Sequence, residues 1–244
     1  MTRSPRMSGR DVPRDAPLRI VASELEAVSG KNSLVDEAYR ALKASILDGT
    51  LPAGYQAVEK RIAEQLKMSR TPVHEAVTRL ENEGFLRVLP RRGVQVLRLS
   101  AADMRDTYDV IIALEGMAAG LIAARKADSA HVIAAMTERT DEMERALEAN
   151  DLKAWAAADD RFHRTLVTDC GNIKLARLAA TMTDQAQRAR LATLRVRAKP
   201  LTSIVEHREI LTMLTNGDVE GARQAVERHR YRASREIIEA ISGL

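Results

Sequence analysis

Sulfur and aromatic chemistry are both scarce in this chain. Cys170 is the only cysteine, so no disulfide can form within the chain and a reducing compartment is expected. Phe, Trp and Tyr together make up 3% of the 244 residues. That is too few for the stacked platforms on which proteins hold single strands or RNA. No run approaches the ~20 apolar residues of a bilayer-spanning helix. The basic N-terminus (Arg3, Arg6, Arg10, Arg14) is followed by none of the apolar stretch that a secretory signal carries. A soluble, cytoplasmic protein with no membrane partner is expected.

What is present is apolar substance and unevenly spread charge. Apolar residues make up 45% of the chain, enough for a packed core, and charged residues 30%. Residues 1–100 hold 17 Lys and Arg against 12 Asp and Glu, whereas residues 101–244 hold 21 against 22. A basic first part beside a balanced second part suggests that the first meets a polyanion.

Residues 1–32 mix Pro, Gly, Ser and charge without a period and read as a flexible leader. From Ser33, a plausible N-cap, Leu34, Val35, Ala38, Leu42 and Ile46 recur on one helical face, and "DGTLPAGY" stops that helix. A second short helix runs through Ile62, Ala63 and Leu66. A third begins about three residues later in "MSRTPVHEAVTRLENEGFL". Val73, Ala76, Val77 and Leu80 can bury one side of it, while its first turn is crowded with Ser69, Arg70, Thr71 and His74. Two β-like runs follow, "FLRVL" and "VQVLRL", joined by Pro90-Arg91-Arg92-Gly93; the second alternates through Val94 and Val96 and loosely reaches Leu99.

That order predicts a winged helix-turn-helix over residues 33–99, with the helix-turn-helix at about 59–78. A recognition helix enters the major groove N-terminus first, where Arg70 can pair bidentately with guanine and Thr71 or His74 can reach base edges or phosphates. Pro72 suits a first turn, where a missing N–H costs little. Arg91 and Arg92 at the wing tip are placed for backbone or minor groove. Taken singly, Ser69 and Thr71 read as caps and the arginines as surface charge; as an ordered set on a basic segment they favour double-stranded DNA.

After Ser100, a second plausible cap with Asp103 behind it, everything reads as helix: about 102–126, 129–148, 151–169, 173–197, 201–215 and 218–242. Residues 100–244 are therefore expected to form an all-α, six-helix antiparallel bundle, making the chain mainly α. Three of its histidines lie in "ADDRFHRTL", "SIVEHREIL" and "AVERHRYRA". Asp159 and His163, four apart, share a helix face, with His207 and His229 on two later helices. One carboxylate and three imidazoles suit Zn²⁺, Ni²⁺, Mn²⁺ or Fe²⁺ with positions left open. Without a metal, the first two are only a helical i,i+4 pair.

The run "ILDGTLPAG…RIAEQLKMSRTPVHEAVTRLENEGFLRVLPRRGVQV" strongly resembles the DNA-binding domain of the GntR family of bacterial transcription regulators. The six-helix segment resembles the FCD effector domain of its FadR-type members, in the shorter VanR-like form. The resemblance implies a homodimer on a palindromic operator, with Lys60, Arg70, Thr71, His74, Arg92 and Gly93 at the DNA. It implies one divalent metal per chain, zinc first, on Asp159, His163, His207 and His229. Beside it the resemblance implies a small carboxylate effector, for which Arg188 or Arg190 could supply a bidentate grip. Three departures mark the DNA-binding part: His74 stands where most members have Arg, Lys67 where they have Gly, and Val58 where they have a polar cap. In the bundle, Ile111 stands where many carry Arg. The expected function is a metabolite-responsive regulator, most simply a repressor. The alternatives are a helical-bundle metalloenzyme using the Asp/His₃ site, and a DNA binder without effector control.

Overall fold

The computed structural model describes residues 33–243, and the chain divides into two units between Arg98 and Leu99. The expected leader, 1–32, lies outside the described residues. In the first unit, α1 (Leu34–Leu47) starts at Ser33, whose hydroxyl accepts from the Asp36 N–H. It buries Ala38, Tyr39, Leu42 and Ile46, but Leu34, expected on that face, is 55% exposed at the first turn. α2 (Glu59–Leu66) and α3 (Arg70–Asn82) follow, joined by Lys67-Met68-Ser69.

A short strand that period-2 reading does not find, β1 (Gln56–Ala57), joins β2 (Leu86–Leu89) and β3 (Gly93–Val96) in an antiparallel sheet of order β1-β3-β2. Val88 faces Val94 across the hairpin, and Gln56 faces Gln95. Two residues are too few to show alternation. Leu99, expected to prolong the strand's alternation, packs instead on a cluster of the second unit. Gly93 has φ +90°, and a side chain there would sit 2.3 Å from the Ala57 carbonyl. Only glycine lets β1 close onto the wing.

The second unit is a helical bundle: α4 (Ala101–Ala124), a 3₁₀ turn (Lys126–Ser129), α5 (Ala130–Glu148), α6 (Leu152–Thr168), α7 (Ile173–Thr193), α8 (Leu201–Asn216) and α9 (Val219–Ser242). Ser100, Asp151, Asn172 and Asp218 cap α4, α6, α7 and α9 with their side chains, and Gly217 ends α8 in the left-handed region. α7 stops at Thr193, four residues earlier than expected. Its end tightens into i,i+3 bonds, Leu194 N–H to Leu191 and Val196 N–H to Thr193, ahead of Pro200.

α4 is long and apolar enough by length and composition to cross a membrane, with a mean hydropathy of 1.5 over its most apolar stretch. The expectation that no segment approaches that limit was too strong. The helix is nevertheless a core element: 56% of that stretch is buried, and it packs along α9 and touches α6, α7 and α8. It also carries Glu115, 1% exposed, into the interior.

Candidate metal centre and nucleic-acid interface

In the first unit, α3 turns its apolar side inward: Val73, Ala76, Val77 and Leu80 are fully buried. Ser69, Arg70, Thr71 and His74 remain exposed, as do Lys60, Arg91 and Arg92. Ser69 occupies the N-cap position, yet its hydroxyl makes no cap hydrogen bond. The first-turn N–H groups of α3 therefore lack a side-chain cap and are oriented to favour an anion. His74 leans back onto Glu59, Nδ1 3.0 Å from Oε1, and Lys60 reaches Glu64 only at 3.9 Å. Arg91 sits at φ +62° in the wing turn beside Arg92.

In the second unit, Asp159, His163, His207 and His229 come together from three helices, all buried, with one candidate ligand atom each within 4.8 Å of the others. The three Nε2 atoms face one another. His163 Nε2 is 3.3 Å from that of His207 and 3.2 Å from that of His229. Asp159 Oδ1 lies 3.7 Å from His207 Nε2 and 3.9 Å from His163 Nε2. Zinc–nitrogen bonds of about 2.0–2.1 Å in a tetrahedron separate two nitrogens by about 3.3 Å.

Hydrogen bonding at the far side of two rings decides what those nitrogens are. His163 Nδ1 is 3.0 Å from Glu115 Oε2, and His229 Nδ1 is 2.7 Å from Glu206 Oε2. A carboxylate only accepts, so both Nδ1 atoms carry a proton, and in a neutral ring Nε2 is then the free ligand atom. Two such lone pairs 3.2 Å apart in a dry interior repel unless a proton or a metal ion lies between them. The donor set thus fits a divalent ion of the zinc type. His207 differs: its Nδ1 is buried without a partner, and its ring is held against Phe162, centroids 4.3 Å apart.

The surroundings keep Asp159, His163 and His207 in their metal-binding forms. Burial, reinforced for His163 by the Arg230 guanidinium, pushes His163 and His207 well below the usual imidazole range, so both are neutral. Burial, the largest single influence, would raise Asp159, but Arg190, 2.8 Å from Oδ2, the neighbouring histidines and Arg230 together outweigh it and keep the carboxylate ionised. Burial likewise opposes Glu206, yet the bonds from His229 and Arg232 bring its pKa down to about 2. Glu115 is gripped by Arg230 through two hydrogen bonds, one of them 2.7 Å from Nε to Oε2.

Beside the cluster a cavity of about 10 Å³ is lined by Trp155, Asp159, Arg190, Arg197, Arg230 and Arg232, among others. It has room for about one water. Of the two arginines expected to grip an effector, Arg190 is at this cavity, ion-paired with Asp159. Arg188 is buried but does not line it, because two residues along a helix turn a side chain by about 200°. Burial lowers the Arg188 pKa to about 10, leaving it charged at neutral pH. Ile111 lies in the apolar contact of α4 with α7 and α9.

Glu115, Glu206, Arg230 and Trp155 are absent from the sequence-derived candidates. Glu115 had a signal, a lone acid inside the apolar run "YDVIIALEGMAAG". Glu206 and Arg230 adjoin the predicted ligands His207 and His229. Trp155 had a signal too, standing four residues before Asp159 on the same helix face.

A winged helix-turn-helix followed by a helical bundle is the arrangement of a DNA-binding transcription regulator. The comparisons agree. Residues 34–96 match the model "Bacterial regulatory proteins, gntR family", and residues 106–232 match "FCD domain". The chain belongs to the GntR family of bacterial transcription regulators, with an FCD domain. It is 47% identical over 152 residues, covering 62% of this chain and 87% of the relative, to the "Uncharacterized HTH-type transcriptional regulator in the TAR-I ttuE-ttuC' intergenic region" of Agrobacterium vitis. It is 32% identical over 188 residues, 75% of this chain and 80% of the relative, to the "Probable D-xylose utilization operon transcriptional repressor" of Paenarthrobacter nicotinovorans. In fold it matches Escherichia coli McbR/YncC with a TM-score of 0.73 at 22% identity, covering 85% of this chain and 98% of that one. The two sequence relatives are named as regulators, and the metalloenzyme alternative finds no support among them.

Proposed function

We propose that this chain is a metabolite-responsive repressor, active in the cytoplasm as a homodimer on a palindromic operator. Its operator affinity is set by a small carboxylate bound beside one divalent ion per chain. Zinc is the first choice of ion, since it accepts a tetrahedral set of nitrogen and oxygen ligands; nickel, manganese and iron are the competitors. Asp159, His163, His207 and His229 hold it, and a cation there anchors an acid group. One observation carries the proposal: two carboxylate-locked imidazoles turn their Nε2 atoms towards each other at 3.2 Å, beside Asp159 and His207. The sign of regulation follows the Paenarthrobacter relative, whose name describes a repressor.

At the DNA, Arg70, Thr71 and His74 read bases, Ser69 and Lys60 engage phosphates, and Arg91, Arg92 and Gly93 form the wing contact. Coupling has a physical origin in the cavity. Space for one water cannot admit an organic acid unless α6, α7, α8 and α9, which line it, move apart. The acid therefore selects a rearranged bundle, and with it a dimer geometry that fits half-sites about one turn apart less well. Linkage demands reciprocity: operator weakens the acid by the factor by which the acid weakens operator, for a typical coupling of about 1–3 kcal/mol.

The test is a pair of operator titrations on zinc-loaded protein purified without an affinity tag, with and without a panel of small carboxylates. Wild type should lose operator affinity with at least one acid. His163→Ala should keep effector-free binding and lose the response. An unchanged response in that variant sinks the metal's part in the switch.

A further inference from the structure

Each guanidinium lining the cavity already faces a carboxylate. Arg190 pairs with Asp159, Arg230 with Glu115 and Arg232 with Glu206, while Arg197 lies 3.7 Å from Glu236. The four cations and four anions cancel, so the excess charge available to an acid comes from the ion. What the cavity holds in surplus is hydrogen-bond donors. Trp155 Nε1 and Arg230 Nη1 are buried without an acceptor among the described residues, and both residues line the cavity. An orphaned buried N–H is unfavourable, and a metal ion cannot relieve it, because a donor has no lone pair to give.

Trp155 is placed for this by the helix that supplies two of the ligands. Residues 155, 159 and 163 succeed one another at i,i+4 on α6, so the indole stands one turn from the Asp159 carboxylate on the same face. It is 3% exposed and is the chain's single tryptophan.

We infer that Trp155 is the specificity-determining residue of the effector site, its indole N–H donating to an uncharged oxygen of the effector. This rests on the proposed carboxylate site and narrows the ligand class to acids bearing a hydroxyl or carbonyl oxygen near the carboxylate. The acid group goes to the ion; the neutral oxygen goes to Trp155, with Arg230 Nη1 as the second donor. A site built to donate to an oxygen discriminates against the analogue that lacks it, because the donor is then left orphaned.

The experiment uses zinc-loaded full-length protein and two matched pairs of acids, acetate with glycolate and succinate with malate. Titration calorimetry gives the affinities, and quenching of the single tryptophan reports contact at the indole. The hydroxylated member should bind at least tenfold tighter in wild type and alter the fluorescence. Trp155→Phe, which keeps most of the ring volume, should erase the preference, so that the two members of each pair bind alike. Equal affinities within both pairs in wild type overturn the inference and leave the carboxylate site standing, with a fixed water as the acceptor. A preference retained in Trp155→Phe overturns it too. If no acid of either pair binds, the carboxylate reading fails first and this one with it. Should Trp155→Phe not fold, the wild-type pairs alone decide.

Discussion

The two units place polar chemistry in opposite positions. Over residues 33–98, the residues proposed to meet DNA are exposed, above a core of Val73, Ala76, Val77, Leu80 and Phe85. Ser45 is the one side chain of polar or charged type buried there among the described residues. In the bundle the order is reversed, with Asp159, three histidines, Glu115, Arg190 and Arg230 all buried. A surface site can be altered without touching stability. A site made of the core cannot, because each ligand and each group orienting it is also a desolvated polar atom that needs its partner. Mutations should therefore separate function from folding in the first unit and fuse the two in the second.

The largest effect belongs to the buried ion pair. Glu115→Ala strands the Arg230 guanidinium, 1% exposed, and removes the acceptor of His163 Nδ1. Removing one partner of such a pair costs about 3–5 kcal/mol. Denaturant unfolding of metal-free protein, followed by Trp155 fluorescence, measures it directly in the bundle. A loss below about 1 kcal/mol would show that Arg230 finds another partner. Next comes the ion. Zinc at about a hundred times its dissociation constant should stabilise the bundle by about 2.7 kcal/mol. A chelator or His163→Ala should remove that gain and leave the unfolding of the first unit where it was. A zinc-induced shift of equal size in His163→Ala would place the binding elsewhere.

At the DNA the contrast should appear as binding lost with stability kept. Arg70→Ala should weaken operator binding by about 1–3 kcal/mol and relax one base position. Its unfolding free energy should change by no more than about 0.5 kcal/mol, as at other exposed sites. Arg92→Ala should weaken all sequences alike and reduce the salt slope by about one. Filter-binding or anisotropy titrations at several salt concentrations read both. Equal operator binding by Arg70→Ala would remove that residue from the interface.

Legibility followed the same divide. Local rules found what lies close in sequence: Ser33 and Ser100 as caps, Asn216-Gly217 as a break, and Asp159 with His163 on one face. The three-helix assembly of the cluster needed more than spacing, since His207 and His229 are ordinary helical histidines until a resemblance aligns them. The groups that set the tautomers were out of reach, because Glu115 and His163 are 48 residues apart and Glu206 and His229 are 23 apart. No periodicity links such pairs; only the packing of α4 on α6, and of α8 on α9, does. Helical phase separated Arg190 from Arg188 once α7 had a defined inner face. β1 escaped because its evidence is a close backbone approach, recorded in the sequence only as Gly93.

The smallest predicted effect tests whether the first unit stores strain at its turn. Lys67 ends α2 at φ 54° and ψ 39°, and its N–H reaches the carbonyls of Ala63 and Glu64. A left-handed residue with a Cβ is less favourable there by about 1–2 kcal/mol, whereas glycine adopts it freely. Glycine gives back part of that difference through its larger unfolded-state entropy. Lys67→Gly should therefore stabilise the unit by about 1 kcal/mol, which for a unit of this size raises the midpoint by about 4–8 °C. The lysine is exposed, so its loss breaks no buried contact. Lys67→Asn separates charge from conformation: asparagine also lacks the charge but tolerates the left-handed region less well than glycine, so it should give a smaller rise. Equal rises for both variants would trace the gain to the removed charge. No rise for glycine would mean that the turn holds Lys67 without strain, and that this departure from the family pattern is neutral for folding.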